Sequence, residues 1–236
     1  MEKPQLFLLH FAGGNLYSFD FIRPLLKNFE VITLELPGRG KRVREPLLRD
    51  FDLAAEDMYN QILNRLASRN FLIYGHSMGA YLALRVSNML IKVQRYPDYL
   101  LVSGNTGPGA ARETTNIYLL DKNEFKNKLE NLGGFPAELL NNNELFDFFE
   151  PILRADFELI EKNGMDDEPA VSIPLFAMMG SLEEYVDNIA NWGRFTTSQF
   201  NYEILEGHHF FIHSHPQRIA DIIQECYSKV RFVQLQ

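Results

Sequence analysis

Short apolar runs recur along the chain, most of them closed by a turn signal. They are QLFLLH at 5–10, FEVITLEL at 29–36 before Pro37-Gly38, NFLIY at 70–74 before Gly75, and YLLVS at 99–103 before Gly104. IPLFAMM at 173–179 precedes Gly180, and FNYEIL at 200–205 precedes Glu206-Gly207. The runs are mostly continuous rather than alternating, which is the pattern of strands buried on both faces of a parallel sheet. Helical patterns lie between them. In 53–66, Leu53, Met58, Ile62, Leu63 and Leu66 fall near one face, 78–93 is rich in Leu, Ala and Met, and 216–230 opens on Pro216, which suits a first helical turn. This alternation predicts an α/β fold, a mainly parallel sheet flanked by helices and joined by right-handed crossovers.

The alternation stops at residues 105–169, where polar helical segments at 122–132 and 144–162 are separated by Gly133-Gly134 and no strand pattern occurs. A long insertion between two strands of such a sheet predicts a helical lid. Leu145, Phe146, Phe148 and Phe149 form an apolar run inside it. They are expected either to cover a substrate channel or to pack the lid. The chain has no internal repeat, low-complexity tract or linker, so residues 1–236 read as one domain carrying this insertion.

Composition narrows the function classes. Lys+Arg is 23 against 31 Asp+Glu, a net charge of −8, which argues against nucleic acid as a partner. The single cysteine, Cys226, cannot form an internal disulfide. The apolar stretch Leu6-Phe7-Leu8-Leu9 is too short for a signal sequence or a membrane span. These features predict a soluble, cytoplasmic protein with no membrane contact. The 19 Phe residues fit an aromatic core or a greasy pocket for an acyl or aryl group, and composition does not separate the two.

The chemistry centres on Gly75-His76-Ser77-Met78-Gly79, a G-x-S-x-G between a predicted strand and a predicted helix. That context makes it a nucleophile elbow, in which a strained turn presents Ser77 at a helix N-terminus. The backbone N–H of Met78 is one expected oxyanion donor. The second comes from the loop after the first strand, Phe11-Ala12-Gly13-Gly14, with Ala12 the choice. The base belongs on a loop after the last strand, where His208 and His209 stand. The acid should follow the 173–179 strand, where Glu183, Glu184 and Asp187 are the available carboxylates. His209 and His213 have i,i+4 spacing, but no H-E-x-x-H and no acidic ligand accompany them, so no metal site is expected. Gly107-Pro108-Gly109 lacks the third glycine of a dinucleotide fingerprint. Arg39, Lys41, Arg42 and Arg44 form a small basic run, either a solvated loop or a dock for an acidic partner.

Taken together these segments resemble the type II thioesterases of nonribosomal-peptide and polyketide assembly lines, and the related medium-chain thioesterase of animal fatty-acid synthesis. The similarity runs almost end to end. It covers Phe11-Ala12-Gly13-Gly14, Leu36-Pro37-Gly38-Arg39-Gly40, Gly75 to Ala80, and Leu132-Gly133-Gly134. It continues through Pro151-Ile152-Leu153-Arg154-Ala155-Asp156-Phe157 and Gly207-His208-His209-Phe210-Phe211. The resemblance implies an α/β-hydrolase fold with a helical lid, Ser77 as nucleophile, His209 as base and Glu183 as acid. His208 stands where the family has a glycine, and Glu183 where it has an Asp, so a side chain longer by one methylene must be accommodated. The implied activity is hydrolysis of acyl thioesters on the phosphopantetheine arm of an acyl or peptidyl carrier protein, with no cofactor. A small-molecule carboxylesterase, an acyltransferase of the same fold and a non-catalytic binding protein are the alternatives.

Overall fold

The computed structural model describes residues 3–110, 116–133 and 137–234. Its strands are β1 (Gln5–Leu9), β2 (Glu30–Thr33), β3 (Phe71–His76), β4 (Tyr99–Ser103), β5 (Leu175–Gly180) and β6 (Phe200–Leu205). They form one parallel sheet of order β2-β1-β3-β4-β5-β6. The helices are α1 (Phe51–Arg65), α2 (Met78–Lys92), α3 (Lys122–Leu132), α4 (Ala137–Asn141), α5 (Asn143–Glu161) and α6 (Pro216–Gln234). Each apolar run of the sequence contributes a strand, and together with its flanking helices the sheet has the α/β-hydrolase architecture. No helix among the described residues is long and apolar enough to cross a membrane.

The burial pattern explains the continuous apolar runs. Every residue of β1, β3, β4 and β5 is buried, whereas the edge strands β2 and β6 keep exposed positions. Alternate residues of the central strands feed two cores. Phe7, Leu9, Ile73 and Val102 pack with Met58 and Ile62 of α1 and with Leu82 of α2. Leu6, Leu8, Tyr74 and Leu101 pack with Ile219, Ile222 and Ile223 of α6. Each such aliphatic side chain contributes roughly 1.5–3 kcal/mol by leaving water. Strand β2 ends earlier than its apolar run, because Glu35 leaves the sheet and its carboxylate accepts from the N–H groups of Leu16 and Lys41 (3.0 and 2.8 Å).

The chain lays β2 on one side of β1 and returns with β3 on the other. The loops leaving β1 and β3 therefore diverge at the C-terminal ends of those strands, the crevice where open α/β sheets build their sites. Helix α2 comes unusually close to the strands there. A Cβ on Gly75 would collide with the Gly79 carbonyl, and one on Gly79 with the carbonyls of Leu9 and His10.

Between β4 and β5 the described residues form a helical insertion, with α3, α4 and α5 and no strand. Arg112 and Gly134 lie outside the described residues. The insertion has a small core of Phe125, Leu129, Phe146, Leu153 and Phe157, and Ala12 of the loop after β1 belongs to it.

Gly79→Ala tests the close approach of α2 to β1. The added methyl group has no space, so the variant is expected to lose about 1–3 kcal/mol of stability, read as a lower denaturation midpoint at unchanged m-value.

Candidate active site

The tight passage from β3 to α2 forces Ser77 to φ 56°, ψ −115°, a positive φ that a residue with a Cβ rarely adopts. Two hydrogen bonds and the lack of two side chains hold the turn. The Ser77 N–H donates to the Ser103 carbonyl (2.7 Å), the Asn105 amide donates to the Ser77 carbonyl (2.8 Å), and Gly75 and Gly79 leave the space. The turn aims Ser77 Oγ at His209, whose Nε2 lies 2.9 Å away.

His209 stands on the loop after β6, and its Nδ1–H donates to Glu183 Oε2 (2.8 Å). An ionised carboxylate only accepts, so Nδ1 carries the proton and Nε2 is left to accept from the serine hydroxyl. Glu183 follows β5, and its other oxygen, Oε1, accepts from the Gly180 N–H (2.8 Å). The longer glutamate arm is thus accommodated by folding back onto the end of its own strand. Gly180 is required beside it, because a Cβ there would meet the carbonyls of Gly207 and His208 in the histidine loop. The Glu183 and His209 side chains are 9% and 17% exposed, so the chain of hydrogen bonds runs in a largely dry place. Glu184 lines the same pocket, while Glu183 holds the imidazole.

Ala12 and Met78 border the pocket beside Ser77. In the loop after β1 the Gly14 N–H donates to the Phe11 carbonyl (2.9 Å) and the Gly13 N–H to Asp156 Oδ2 (2.7 Å). Both glycine donors are committed to structure, and Ala12 lines the cavity together with Ser77.

The remaining histidines fall into structural places. His76 is buried behind the base, its ring 5.1 Å from that of His209 and its Nδ1 2.8 Å from Ser103 Oγ. Burial, then the neighbouring His209 and His213, push its pKa well below the ordinary value, so it is neutral. His10 is buried too. Its Nδ1–H donates to the Phe11 carbonyl (2.8 Å) and its Nε2 accepts from the Leu36 N–H (3.3 Å). Burial and the nearby Arg39 lower its pKa to about 4. His208 lines the pocket, His213 stacks on Phe210, and His215 bonds the Glu206 carbonyl. The i,i+4 pair His209 and His213 is divided between the hydrogen-bonded chain and this aromatic packing.

A cavity of about 410 Å³ opens from Ser77 toward the insertion. On the insertion side its wall has apolar Ile117, Leu132, Phe157 and Ile160 together with polar Lys128, Asn131 and Glu161. The apolar run at 145–149 does not supply that wall. Phe146 is sealed in the insertion's own core, Phe149 packs against that core, and Phe148 is 60% exposed. The basic run also differs from a free docking patch. Arg39 is buried in an ion pair with Asp156, and Arg42 bonds both Glu45 and Asp57, which leaves Lys41 and Arg44 exposed. The partners Asn105, Asp156 and Ser103 carried no local sequence signal, because each meets the site only across the fold.

A serine raised on the elbow after β3, facing a histidine delivered after β6, places the protein among the α/β hydrolases. The chain belongs to the thioesterase domain family, whose profile matches residues 4–227. It is 30% identical to linear gramicidin dehydrogenase LgrE of Brevibacillus parabrevis, over 93% of this chain and 86% of that protein. It is 26% identical to the medium-chain S-acyl fatty acid synthase thioesterase of Rattus norvegicus, over 85% of this chain and 78% of that protein. The solved structure of the type II thioesterase BorB from the borrelidin biosynthetic cluster superposes with a TM-score of 0.87 at 26% identity, covering 95% of this chain and 93% of that one. The chain is accordingly a thioester hydrolase by family.

The lowered pKa of His10 has a consequence for stability. Between pH 6.5 and about 4 the unfolded chain binds a proton at His10 that the folded chain refuses. Stability is therefore full above pH 6.5 and falls as the pH drops through this window, by on the order of 3 kcal/mol. Denaturation curves across the window should be flatter for His10→Gln than for the native chain, and parallel curves would contradict the assignment.

Proposed function

We propose that this chain is a type II thioesterase acting on acyl groups held as thioesters on the phosphopantetheine arm of acyl or peptidyl carrier proteins. The observation that carries the reading is the hydrogen-bonded line Ser77–His209–Glu183 at the mouth of the cavity under the helical insertion. The named thioesterase relatives support the substrate class. In this reading one catalytic domain works in the cytoplasm, with residues 105–169 as its lid.

Ser77 Oγ attacks the thioester carbonyl carbon while His209 Nε2 takes the hydroxyl proton. The negative charge that forms on the carbonyl oxygen accepts from the Met78 and Ala12 N–H groups, with the N-terminus of α2 beside it. The C–S bond breaks, and the proton on His209 passes to the departing thiolate. Water then attacks the acyl-serine ester, His209 takes its proton, and the second collapse returns that proton to Ser77 Oγ and releases the carboxylic acid. Glu183 holds the imidazole in the working tautomer and stabilises the imidazolium.

The name of the gramicidin relative raises a redox reading. A dinucleotide fold needs a helix N-terminus directly after β1 to receive the pyrophosphate. Here only a short 3₁₀ turn, Arg23–Leu25, lies between β1 and β2, and the loop turns its Gly13 N–H to a carboxylate.

The decisive experiment is release of free acid from an acyl-loaded carrier protein, with a simple ester at equal concentration as the comparison. Carrier-borne thioester should be preferred, and Ser77→Ala should remain folded with activity down by several orders of magnitude. Preference for the free ester would favour a carboxylesterase, and product bearing an added alcohol or amine an acyltransferase. Glu183→Gln keeps the shape but offers an amide to Nδ1. It should lower kcat roughly 10²–10⁴-fold, with the same replacement at Glu184 or Asp187 nearly silent.

A further inference from the structure

Asp156, on α5 of the insertion, is fully buried, and so is its partner Arg39, at 3% exposure. The pair is bidentate: Arg39 Nη1 donates to Oδ2 (2.5 Å) and Nη2 to Oδ1 (2.8 Å). A buried ion pair is a poor source of stability, because apolar residues of similar volume are often as stable or more so. This pair has a third member. Asp156 Oδ2 also accepts from the Gly13 N–H (2.7 Å), and Arg39 reaches the Gly14 and Pro37 carbonyls (both 3.4 Å).

Residues Phe11-Ala12-Gly13-Gly14 form a four-residue turn closed by the Gly14 N–H on the Phe11 carbonyl, with Gly13 at φ 75°. A positive φ at the third position marks a type II turn, whose central peptide would have to flip to reach type I. The Gly13 N–H belongs to that central peptide, so the carboxylate selects its orientation. Ala12 N–H is one torsion pair away, and the Ala12 methyl group packs in the core of the insertion with Leu153 and Phe157. Phe157, the residue after Asp156, also lines the substrate cavity.

We propose that Asp156 and Arg39 are positioning residues for the oxyanion hole: α5 grips the loop after β1 through Gly13 and so sets where Ala12 N–H points. The same helix then touches the acyl group through Phe157 and holds the oxyanion donor through Asp156. This rests on the reading of Ser77 as nucleophile with Ala12 as oxyanion donor.

The test uses the full chain with the double substitution Asp156→Leu and Arg39→Met, which removes both buried charges together and the grip on Gly13. Three quantities are read: kcat and KM on a simple acyl thioester, affinity for an acyl trifluoromethyl ketone that adds to Ser77, and affinity for an unreactive acyl thioether. The variant is expected to fold with modestly lowered thermal stability, because the Gly13 N–H loses its acceptor while both buried charges are removed together. kcat should fall about 10–100-fold, with ketone affinity falling in parallel and KM and thioether affinity nearly unchanged. Asp156→Asn, which keeps an acceptor oxygen for Gly13, should retain more of kcat than the double variant even if it is less stable. Native kcat and ketone affinity in a folded double variant would overturn the proposal. So would equal losses for ketone and thioether, or a double variant that does not fold, since these assign the pair to pocket shape or stability. Failure of the native chain to hydrolyse the thioester would count against the proposed function alone, because the ketone adduct still measures the oxyanion hole.

Discussion

The close approach of α2 to the ends of β1 and β3 is the constraint on which the site depends. Helix and strands can meet there only without side chains at Gly75 and Gly79. The meeting leaves Ser77 so short a turn that its φ becomes positive. The strain is opposed by bonds to Ser103 and Asn105 at the end of β4 and by the buried apolar faces of the central strands. In exchange the hydroxyl stands clear of the sheet at the start of a helix, within 2.9 Å of an imidazole that arrives from the far end of the chain.

Around that turn the interior is arranged electrostatically. His10 and His76 are both buried and neutral, their pKa values lowered chiefly by burial. Their ring nitrogens tie segments together: His10 through both nitrogens joins the loop after β1 to the segment after β2, and His76 through Nδ1 joins the elbow to β4. The buried carboxylates act on backbone N–H groups. Glu35 accepts from Leu16 and Lys41, Asp156 from Gly13, and Glu183 from Gly180. Loops that would otherwise carry unsatisfied buried donors are thereby fixed in one conformation.

Glu183 shows how a glutamate is fitted between the end of β5 and the imidazole. An aspartate at this place would reach the imidazole with a shorter arm. The glutamate spends its extra length by folding back, one oxygen on His209 and the other on the Gly180 N–H. The second bond fixes the longer side chain at little rotameric freedom, so the imidazole partner stays oriented.

Periodicity and turn residues alone pointed to the strands and the helices between them, because continuous apolar runs report burial directly. The stripe at 53–66 did so only in part, since Met58 and Ile62 are buried while Leu53 and Leu63 are exposed. The elbow and the Gly-rich loop were legible for a similar reason, strand–turn–helix context being local. The residues left His208 or His209, and Glu183, Glu184 or Asp187, open, and only the family resemblance pointed to His209 and Glu183. Arg39 and Phe149 show where local reading ends. A basic run reads as surface until Asp156, 117 positions away, is seen to bury one of its members. An amphipathic helix declares an apolar face but not whether that face meets a channel or its neighbours, and here the wall went to Phe157 and Ile160 while Phe146 and Phe149 packed inward. Pairing between distant segments depends on how α5 crosses the loop after β1. That crossing is a property of the packed whole, where a single buried carboxylate can be shared by a guanidinium and a backbone N–H from loops that no local pattern connects.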